Sequence, residues 1–491
     1  MNQNKKLGVI ALAAVVVSAM IGGGIFSLPQ NMAQSASSGA IIAAWIITGC
    51  GMFFLANTFR ILAETNPEAS SGIYSYARMG FGRFAGFEMA WAYWLCNIFG
   101  NVGYAVLLMD ALNYFFPGVF AGGNNLWSIL GGSFVIWLMN FAVLKGVKQA
   151  AFINIVGTVC KLLPIFIFLI VMLVIFKIKY FATDMSGMEL IPELGLKPLG
   201  SFAGQIKSTM LVTLWAFIGI EGAVVLSGKA KSEKDVGLAT LIGFIGCLSI
   251  YVLLSLLPFG HMYQSQLAKL SNPSTADILQ SAVGAWGGVL MNAGVIIALL
   301  SSWLAFTLMI VQIPYAAALD GTFPKVFTRE NDNETPTVSL WISSLLMQIC
   351  MILVYFSNNA WNTMLSITSV MILPPYFACT LYLWKMCVDK KLPAKVGISK
   401  DFALICGVLG SVYAVWMIYA AGLKYLVLAF IFQLVSIPVY LWATKEVRES
   451  DMMKQKKLTP FFSNWELVGM CALVFIAFLA IALTIMGKIK I

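Results

Sequence analysis

Two glycine clusters interrupt apolar segments of helix length and could expose backbone groups to a ligand. The first is Gly22–Gly24 in the stretch SAMIGGGIFSLP. In the second, TLWAFIGIEGAVV, Gly219 and Gly222 lie close to Glu221. Each glycine in a helix interior costs about 1 kcal/mol relative to alanine, but unwound backbone offers N–H groups to a carboxylate and carbonyls to an ammonium group. Close helix packing is the alternative for one cluster, whereas two matched clusters predict two broken helices.

The composition indicates that these clusters lie in a membrane. Hydrophobic residues make up 60% of the 491 residues and charged residues only 11%, whereas about 25% of a soluble protein is charged. Apolar segments of roughly 20 residues, long enough to cross a bilayer, recur along the chain. We therefore predict an all-α polytopic membrane protein, embedded in the lipid bilayer, with 12–13 transmembrane helices. The predicted spans are 8–34, 39–63, 84–116, 127–144, 151–177, 207–228, 236–259, 286–317, 337–357, 361–385, 402–422, 425–444 and 465–487.

The basic residues orient the predicted spans. Most of the 31 lysine and arginine residues lie in alternate loops on one side, which by the positive-inside rule is the cytoplasm. The N-terminus is therefore predicted to be cytoplasmic, and the net charge of +10 does not indicate a nucleic acid partner. Thirteen spans place the C-terminus outside, where Lys488 and Lys490 are unfavourable. The span 465–487 therefore has the weakest support.

Few residues are suited to catalysis or metal binding. The nine cysteines are scattered without a CxxC pair, and the single histidine is His261. This pattern is typical of packing cysteines and not of disulfides or a metal centre. We expect no enzyme activity, no metal and no cofactor, because the spans contain no acid–base pair or nucleophile–histidine arrangement. A channel is disfavoured because polar residues cluster at mid-depth in only a few spans, and a scaffold has no need of matched helix breaks.

Several motifs resemble those of the amino acid–polyamine–organocation (APC) superfamily. SAMIGGGIFSLPQN is similar to its first-helix motif and TLWAFIGIEGAVVLSGKAK to its sixth-helix motif. The stretches GFEMAWAYWLCNIFGNVGY, PYAAALDGTFPKVF and SITSVMILPPYF resemble the basic amino acid/polyamine antiporters, particularly the arginine/ornithine exchangers. The resemblance runs from about residue 6 to the end of the twelfth predicted span.

The resemblance implies a LeuT-like transport core at residues 1–385 with a 5+5 inverted repeat. Repeat one covers 8–177 and repeat two covers 207–385, so the broken helices 1 and 6 begin the two repeats. Residues 386–491 add further C-terminal transmembrane helices. Glycine-interrupted segments at corresponding positions mark a midplane binding site in such transporters. The family also implies a bacterial inner membrane location, and homodimers are common in it.

The resemblance assigns substrate contacts to four spans. Backbone N–H groups at Gly23 and Gly24 match those that hold a substrate carboxylate. The ring of Trp215 matches a gating residue over the aliphatic part of a bound amino acid, and packing against lipid is its alternative. Backbone carbonyls that match acceptors of the α-amino group are those of Met20, Trp215 and Ile218. Span 3 residues that match the lining of the distal side-chain pocket are Tyr93, Cys96, Asn97 and Asn101.

Two amides and two aromatic residues bear on the side chain that is recognised. Asn97 and Asn101 share a helical face, and a buried amide requires a partner. One of them is therefore expected to face the cavity, with a bond between helices as the alternative. The family's distal tryptophan in span 8 is replaced by Phe306, and Trp303 lies one turn earlier. This departure leaves the substrate open, since a guanidinium prefers tryptophan among the aromatic rings.

Three charged residues lie within the predicted spans. An acid at the position of Glu221 takes part in proton-sensitive gating in related exchangers. Lys161, in INIVGTVCKLLPIF, resembles a lysine that occupies the place of a sodium ion and bridges helices 1 and 8. A buried ion network that fixes the helices is the alternative for both. Asp110 either steers a cationic substrate or lies at the wet end of its helix.

These features together predict a secondary active antiporter that works by alternating access. Small-molecule amino acids or amines are the expected partners, with arginine exchanged for ornithine as the leading pair. A proton-coupled amino acid symporter is one alternative. Antiporters for lysine and cadaverine, arginine and agmatine, histidine and histamine, or tyrosine and tyramine are the others.

Overall fold

The computed structural model describes residues 9–66, 72–146, 150–221, 233–393, 398–486 and 488. These residues fold into helices joined by short loops, and the β-structure among them is limited to two isolated bridges. Within this part of the chain, nine segments are long and apolar enough to cross a membrane. The prediction of an all-α polytopic membrane protein is therefore confirmed.

The principal helices are numbered α1 to α16 in chain order. They are α1 Val9–Met20, α2 Leu28–Ala33, α3 Ser38–Thr65, α4 Ile73–Phe81, α5 Arg83–Asn113, α6 Leu126–Leu144, α7 Ala150–Ile175, α8 Phe202–Ala216, α9 Glu233–Leu256, α10 Ser274–Val283, α11 Ala285–Leu319, α12 Thr337–Leu353, α13 Ala360–Val388, α14 Lys400–Leu434, α15 Ile437–Met453 and α16 Asn464–Ile485. Most of the predicted spans agree with these bounds to within a few residues. Residues 222–228 of the sixth predicted span, and the N-terminal residues 1–8, lie outside the described residues.

The predicted eleventh and twelfth spans meet at a break within α14. The sequence predicted 402–422 and 425–444 as separate spans, and Gly422 is a non-helical residue that divides α14 into two helical segments at this boundary. Gly422 has φ +76° and ψ 158°, a backbone conformation that is open to glycine and strained for other residues. The chain therefore changes direction without a polar loop, and the next helix begins only at Ile437.

Burial differs strongly between the helices. In the apolar windows of α5 and α13, 83% and 78% of the residues are buried, compared with 11% in α16. α5 packs against both α11 and α13, and α1 packs against α9. The polar side chains of α5 therefore lie at the centre of the bundle, whereas α16 faces lipid along most of its length. The helix predicted for 465–487 is present and is long enough to span.

We predict that Gly422→Ala destabilises the protein by about 1–3 kcal/mol, because alanine is strained in this conformation. A Cβ at Gly422 meets no atom within 4 Å, so the cost comes from the backbone alone. Thermal unfolding of the purified protein measures it. Gly469→Ala is the matched control, because Gly469 is also free of contacts but lies inside α16. Equal unfolding temperatures for the two variants would contradict the assignment of strain to Gly422.

Candidate functional site

The first predicted helix break is present. α1 ends at Met20, and helical geometry resumes in a 3₁₀ segment at Gly23–Ser27 that leads into α2. Gly22 between them is extended, with φ −88° and ψ 179°. The first N–H groups of a helix have no acceptor within it and carry the positive end of the helix dipole. The N–H groups of Gly23 and Gly24 are therefore suited to a carboxylate, the role that the sequence predicted for them.

Close packing explains why three consecutive residues of this break are glycine. A Cβ at any of them would overlap a side chain from another helix. The overlapping pairs are Gly22 with the Tyr104 hydroxyl, Gly23 with Leu299, and Gly24 with the ring of Trp215. The alternative of close packing and the prediction of a broken helix are therefore both correct for this cluster.

The second break lies at the end of α8. This helix ends at Ala216, and residues 217–221 form a turn in which Gly219 has φ +106°. Such a backbone conformation favours glycine. The N–H of Gly219 donates to Glu221 Oε2 at 3.1 Å. Gly222, the other glycine of the predicted cluster, lies outside the described residues.

A small cavity lies where the two breaks meet α5, α11 and α13. Its lining consists of Met20, Gly22, Cys96, Asn97, Gly100, Tyr104, Trp215, Ile218, Phe306 and Thr368. Its volume is about 20 Å³, little more than the roughly 10–15 Å³ that a single water molecule needs. The cavity is therefore too small for an amino acid, and side chains must move before one can enter.

Trp215 covers one side of this cavity. Its ring packs edge-on against Trp361, with 5.4 Å between ring centroids. Trp361 Nε1 in turn donates to Asn31 Oδ1 at 3.1 Å, which ties α13 to α2. Asn31 also bonds Asn362. These contacts place Trp215 between the cavity and a layer of amide side chains, a position that suits the gating role predicted for it.

Glu221 lies on another side of the cavity, behind its lining. Its carboxyl group accepts from Tyr93 Oη at 2.9 Å, from Tyr376 Oη at 2.7 Å and from the N–H of Gly219. Glu221 is 2% exposed, so these three donors replace the solvation that burial removes. Tyr93 does not line the cavity, although the sequence placed it in the substrate pocket. It connects α5 to Glu221 instead.

The predicted amides of α5 have different surroundings. Asn97 lines the cavity, and its Nδ2 donates to the carbonyl of Tyr93 at 2.7 Å. Its Oδ1 is buried and accepts no hydrogen bond in the described part of the chain. Asn101 is outside the lining, and its Nδ2 lies 3.4 Å from Thr307 Oγ1 on α11. Asn97 is therefore the amide that faces the cavity, and Asn101 fits the alternative of a bond between helices.

Of the two aromatic residues predicted on α11, only Phe306 reaches the cavity. Its ring packs edge-on against Tyr104, with 5.7 Å between centroids. Trp303 is fully buried and does not line the cavity. The structure therefore provides no tryptophan face from α11 in place of the family's distal tryptophan.

Two of the backbone carbonyls predicted to accept from the α-amino group of the substrate, those of Met20 and Trp215, already accept hydrogen bonds within the protein. The carbonyl of Met20 accepts from Tyr251 Oη at 2.8 Å and from the N–H of Gly22 at 3.0 Å. The carbonyl of Trp215 accepts from the N–H of Ile218 at 3.1 Å. A substrate ammonium group therefore has to share or displace these donors.

Lys161 and Asp110 both lie outside the cavity lining. Lys161 is 1% exposed on α7, within electrostatic reach of Cys247 on α9. Asp110 lies near the end of α5, and its Oδ1 accepts from the N–H of Gly122 at 3.1 Å. This bond to the loop that follows α5 agrees with the alternative that Asp110 lies at the wet end of its helix.

Sequence reasoning missed several residues of the site. Gly100 and Tyr104 line the cavity and follow Asn97 on α5 at spacings of three and seven. This helical stripe could have identified them. Thr368 of the lining and Tyr376, the partner of Glu221, lie in SITSVMILPPYF, where the sequence offered no periodic signal.

Comparison with known proteins identifies the family. Residues 7–440 match the amino acid permease family. The chain belongs to this family, within the APC superfamily. The permease is accordingly a transporter and not an enzyme.

The permease has close relatives in bacteria. It is 55% identical over 488 residues to an arginine/agmatine antiporter of Chlamydia pneumoniae, covering 99% of each chain. A protein of the same name in Chlamydia abortus is 56% identical over 486 residues, 99% of this chain and 98% of the relative. An arginine/agmatine antiporter of Chlamydia trachomatis serovar L2 is 52% identical over 483 residues, which cover 98% of this chain and 97% of the relative. Because the similarity covers nearly all of the chain, it includes α16.

We predict that Gly24→Ala lowers substrate uptake into proteoliposomes by about tenfold or more, because the new Cβ displaces Trp215 from the break. Gly246→Ala is the matched control, since its Cβ meets no atom within 4 Å. Both variants are checked for folding by size-exclusion chromatography. Uptake at the wild-type rate by a folded Gly24→Ala protein would contradict a functional role for this contact.

We predict that Tyr93→Phe and Tyr376→Phe each destabilise the permease by about 1–3 kcal/mol, because each leaves Glu221 with one donor fewer. Thermal unfolding measures the effect, with the exposed Tyr355→Phe as control. Because both tyrosines bond the same carboxyl group, the double variant should be non-additive. Strict additivity would show that the two bonds are independent.

Proposed function

We propose that the permease exchanges arginine for agmatine across a bacterial plasma membrane. The names of relatives that are 52–56% identical over nearly the whole chain support this pair. The cavity supports the chemistry, because the first break reaches its lining at Met20 and Gly22, together with an unpartnered amide oxygen and aromatic rings. Arginine has a carboxylate for the N–H groups, whereas agmatine, its decarboxylation product, lacks one.

The features shared by the two substrates must therefore provide the common part of recognition. Both carry a guanidinium group, which donates up to five hydrogen bonds and is attracted to aromatic faces. Thr368 Oγ1 and Asn97 Oδ1 both belong to residues of the cavity lining and are buried without a partner in the described structure, and of the two the amide oxygen can only accept. We assign it to the guanidinium group, between the rings of Tyr104 and Phe306. The N–H groups of Gly23 and Gly24 then bind the carboxylate of arginine only.

Alternating access provides the mechanism. Trp215 and Trp361 close the cavity on one side, and Glu221 with its two tyrosines closes it on another. Separation of Trp215 and Trp361 admits a substrate. Separation of Glu221 from its two tyrosines releases the substrate on the opposite side of the membrane. We place the N-terminus in the cytoplasm and assign residues 8–177 and 207–385 to two inverted repeats, because helix breaks occur in the first helix of each. Residues 386–491 form the added helices, and a homodimer remains a prediction.

Ornithine and proton symport are the competing assignments. Ornithine has an ammonium group in place of the guanidinium group, so it can donate to Asn97 Oδ1 but has no planar group to lie between the rings of Tyr104 and Phe306. The two exchange pairs differ in the net charge that each transport cycle moves across the membrane. Arginine and ornithine each carry one net positive charge near pH 7, whereas agmatine carries two. Exchange of arginine for ornithine is therefore electroneutral, and exchange for agmatine moves one positive charge.

We predict that proteoliposomes loaded with agmatine take up labelled arginine faster when the interior is made positive. Each cycle then exports one net positive charge, and 100 mV supplies about 2.3 kcal/mol for each charge moved. Uptake is measured at clamped potassium potentials with valinomycin. Ornithine-loaded vesicles are the comparison, and empty vesicles should show little uptake. Stimulation by ornithine without an effect of potential would identify the electroneutral pair, and rapid uptake into empty vesicles would identify a symporter.

A further inference from the structure

A second cavity lies far from the helix breaks, where the start of α16 meets α4, α5 and α13. Its lining consists of Gly80, Phe81, Phe84, Ala85, Lys385, Ser463, Trp465, Glu466 and Gly469. Its volume is about 420 Å³, compared with about 20 Å³ for the central cavity. This lies within the roughly 300–1,000 Å³ typical of sites for small ligands. The cavity therefore has room for a ligand without any rearrangement.

The position of this second cavity is that of a membrane interface. Trp465, in the first turn of α16, is 85% exposed, and exposed tryptophans are enriched at the level of lipid headgroups. The window of α16 that follows is only 11% buried and so faces lipid. The loops that flank the cavity belong to the basic side of the chain. The ligand that reaches this cavity is therefore a lipid headgroup.

The second cavity contains one cation and one anion that do not pair. Lys385 Nζ donates to the carbonyl of Gly80 at 2.7 Å, which leaves two of its three N–H groups for a ligand. Glu466 accepts from the N–H of Phe84 and of Ser463, each at 2.8 Å, and each carboxylate oxygen keeps a further lone pair. Lys385 and Glu466 form no ion pair with each other in the described structure, although both line the cavity. Separated opposite charges of this kind fit a zwitterion.

We propose that the second cavity binds phosphatidylethanolamine, with its phosphate on Lys385 and its ammonium group on Glu466. The rings of Phe81 and Phe84 and the open space at Gly469 fit the apolar start of the lipid. A lipid with only a negative headgroup is disfavoured by the carboxylate of Glu466. Phosphatidylcholine is disfavoured because its ammonium group has no N–H to donate. The bound lipid links the start of α16 to the start of α5, independently of the substrate that the permease carries.

The test is native mass spectrometry of the delipidated full-length protein with phosphatidylethanolamine, phosphatidylcholine or phosphatidylglycerol of equal acyl chains. We expect phosphatidylethanolamine to bind about tenfold more tightly than either of the others. Lys385→Gln should weaken phosphatidylethanolamine and phosphatidylcholine alike, because both carry the phosphate. Glu466→Gln should remove only the preference between them, since glutamine keeps an acceptor oxygen for Phe84 but loses the charge.

Lys385 is exposed and lies over an aromatic ring, with Nζ 5.4 Å from the centroid of Phe81. Lys424→Gln is the matched control, because Lys424 is exposed too and its Nζ lies 5.6 Å from the centroid of Tyr425, outside the cavity. It should leave lipid binding unchanged. Gly469→Leu fills the cavity without altering a charge and should abolish binding, so it replaces Glu466→Gln if that variant does not fold. Equal binding of the three lipids, tighter binding of phosphatidylglycerol, or unchanged binding to Lys385→Gln would overturn the proposal.

Discussion

The need to pair backbone polar groups in an apolar medium is the constraint on which the structure depends. An unpaired N–H or carbonyl group in a bilayer costs several kcal/mol, and the two helix breaks free several such groups from their helices. The protein supplies partners from neighbouring helices, since Tyr251 bonds the carbonyl of Met20 and Glu221 bonds the N–H of Gly219. The breaks therefore lie beside α5 and α13, the most buried of the described spans.

The same glycines that interrupt the first helix also connect it to the residue that covers the cavity. Trp215 packs directly on Gly24, and no side chain fits between them. A movement of this ring that enlarges the cavity therefore also changes the packing at Gly24. The absence of a Cβ at these positions permits this arrangement, which alanine, despite its better helix propensity, would prevent.

Local signals in the sequence predicted the helices, both breaks and most of the cavity, because glycine clusters and apolar periods are local properties. Side-chain partners were harder to predict. The bond between Tyr93 and Glu221 joins residues 128 positions apart, so no local pattern indicates it. Phe306 and Trp303 differ by about 60° around their helix, and only packing decides which of them reaches the cavity. The boundary between the predicted spans 402–422 and 425–444 lies at Gly422, where a single non-helical residue divides the two helical segments.

The three hydrogen bonds that the Glu221 carboxyl group accepts offer a physical reason for the exchange of cations by this permease. They come from α5, from α13 and from the break after α8, so separating these elements leaves a buried carboxyl group with fewer partners. That cost opposes movement of the empty carrier. Under the proposed exchange, a cationic substrate in the adjacent cavity would offset this cost, because a nearby positive charge favours the ionised form of a buried carboxyl group. The loaded carrier then changes state more readily than the empty one, and this difference is what obligatory exchange requires.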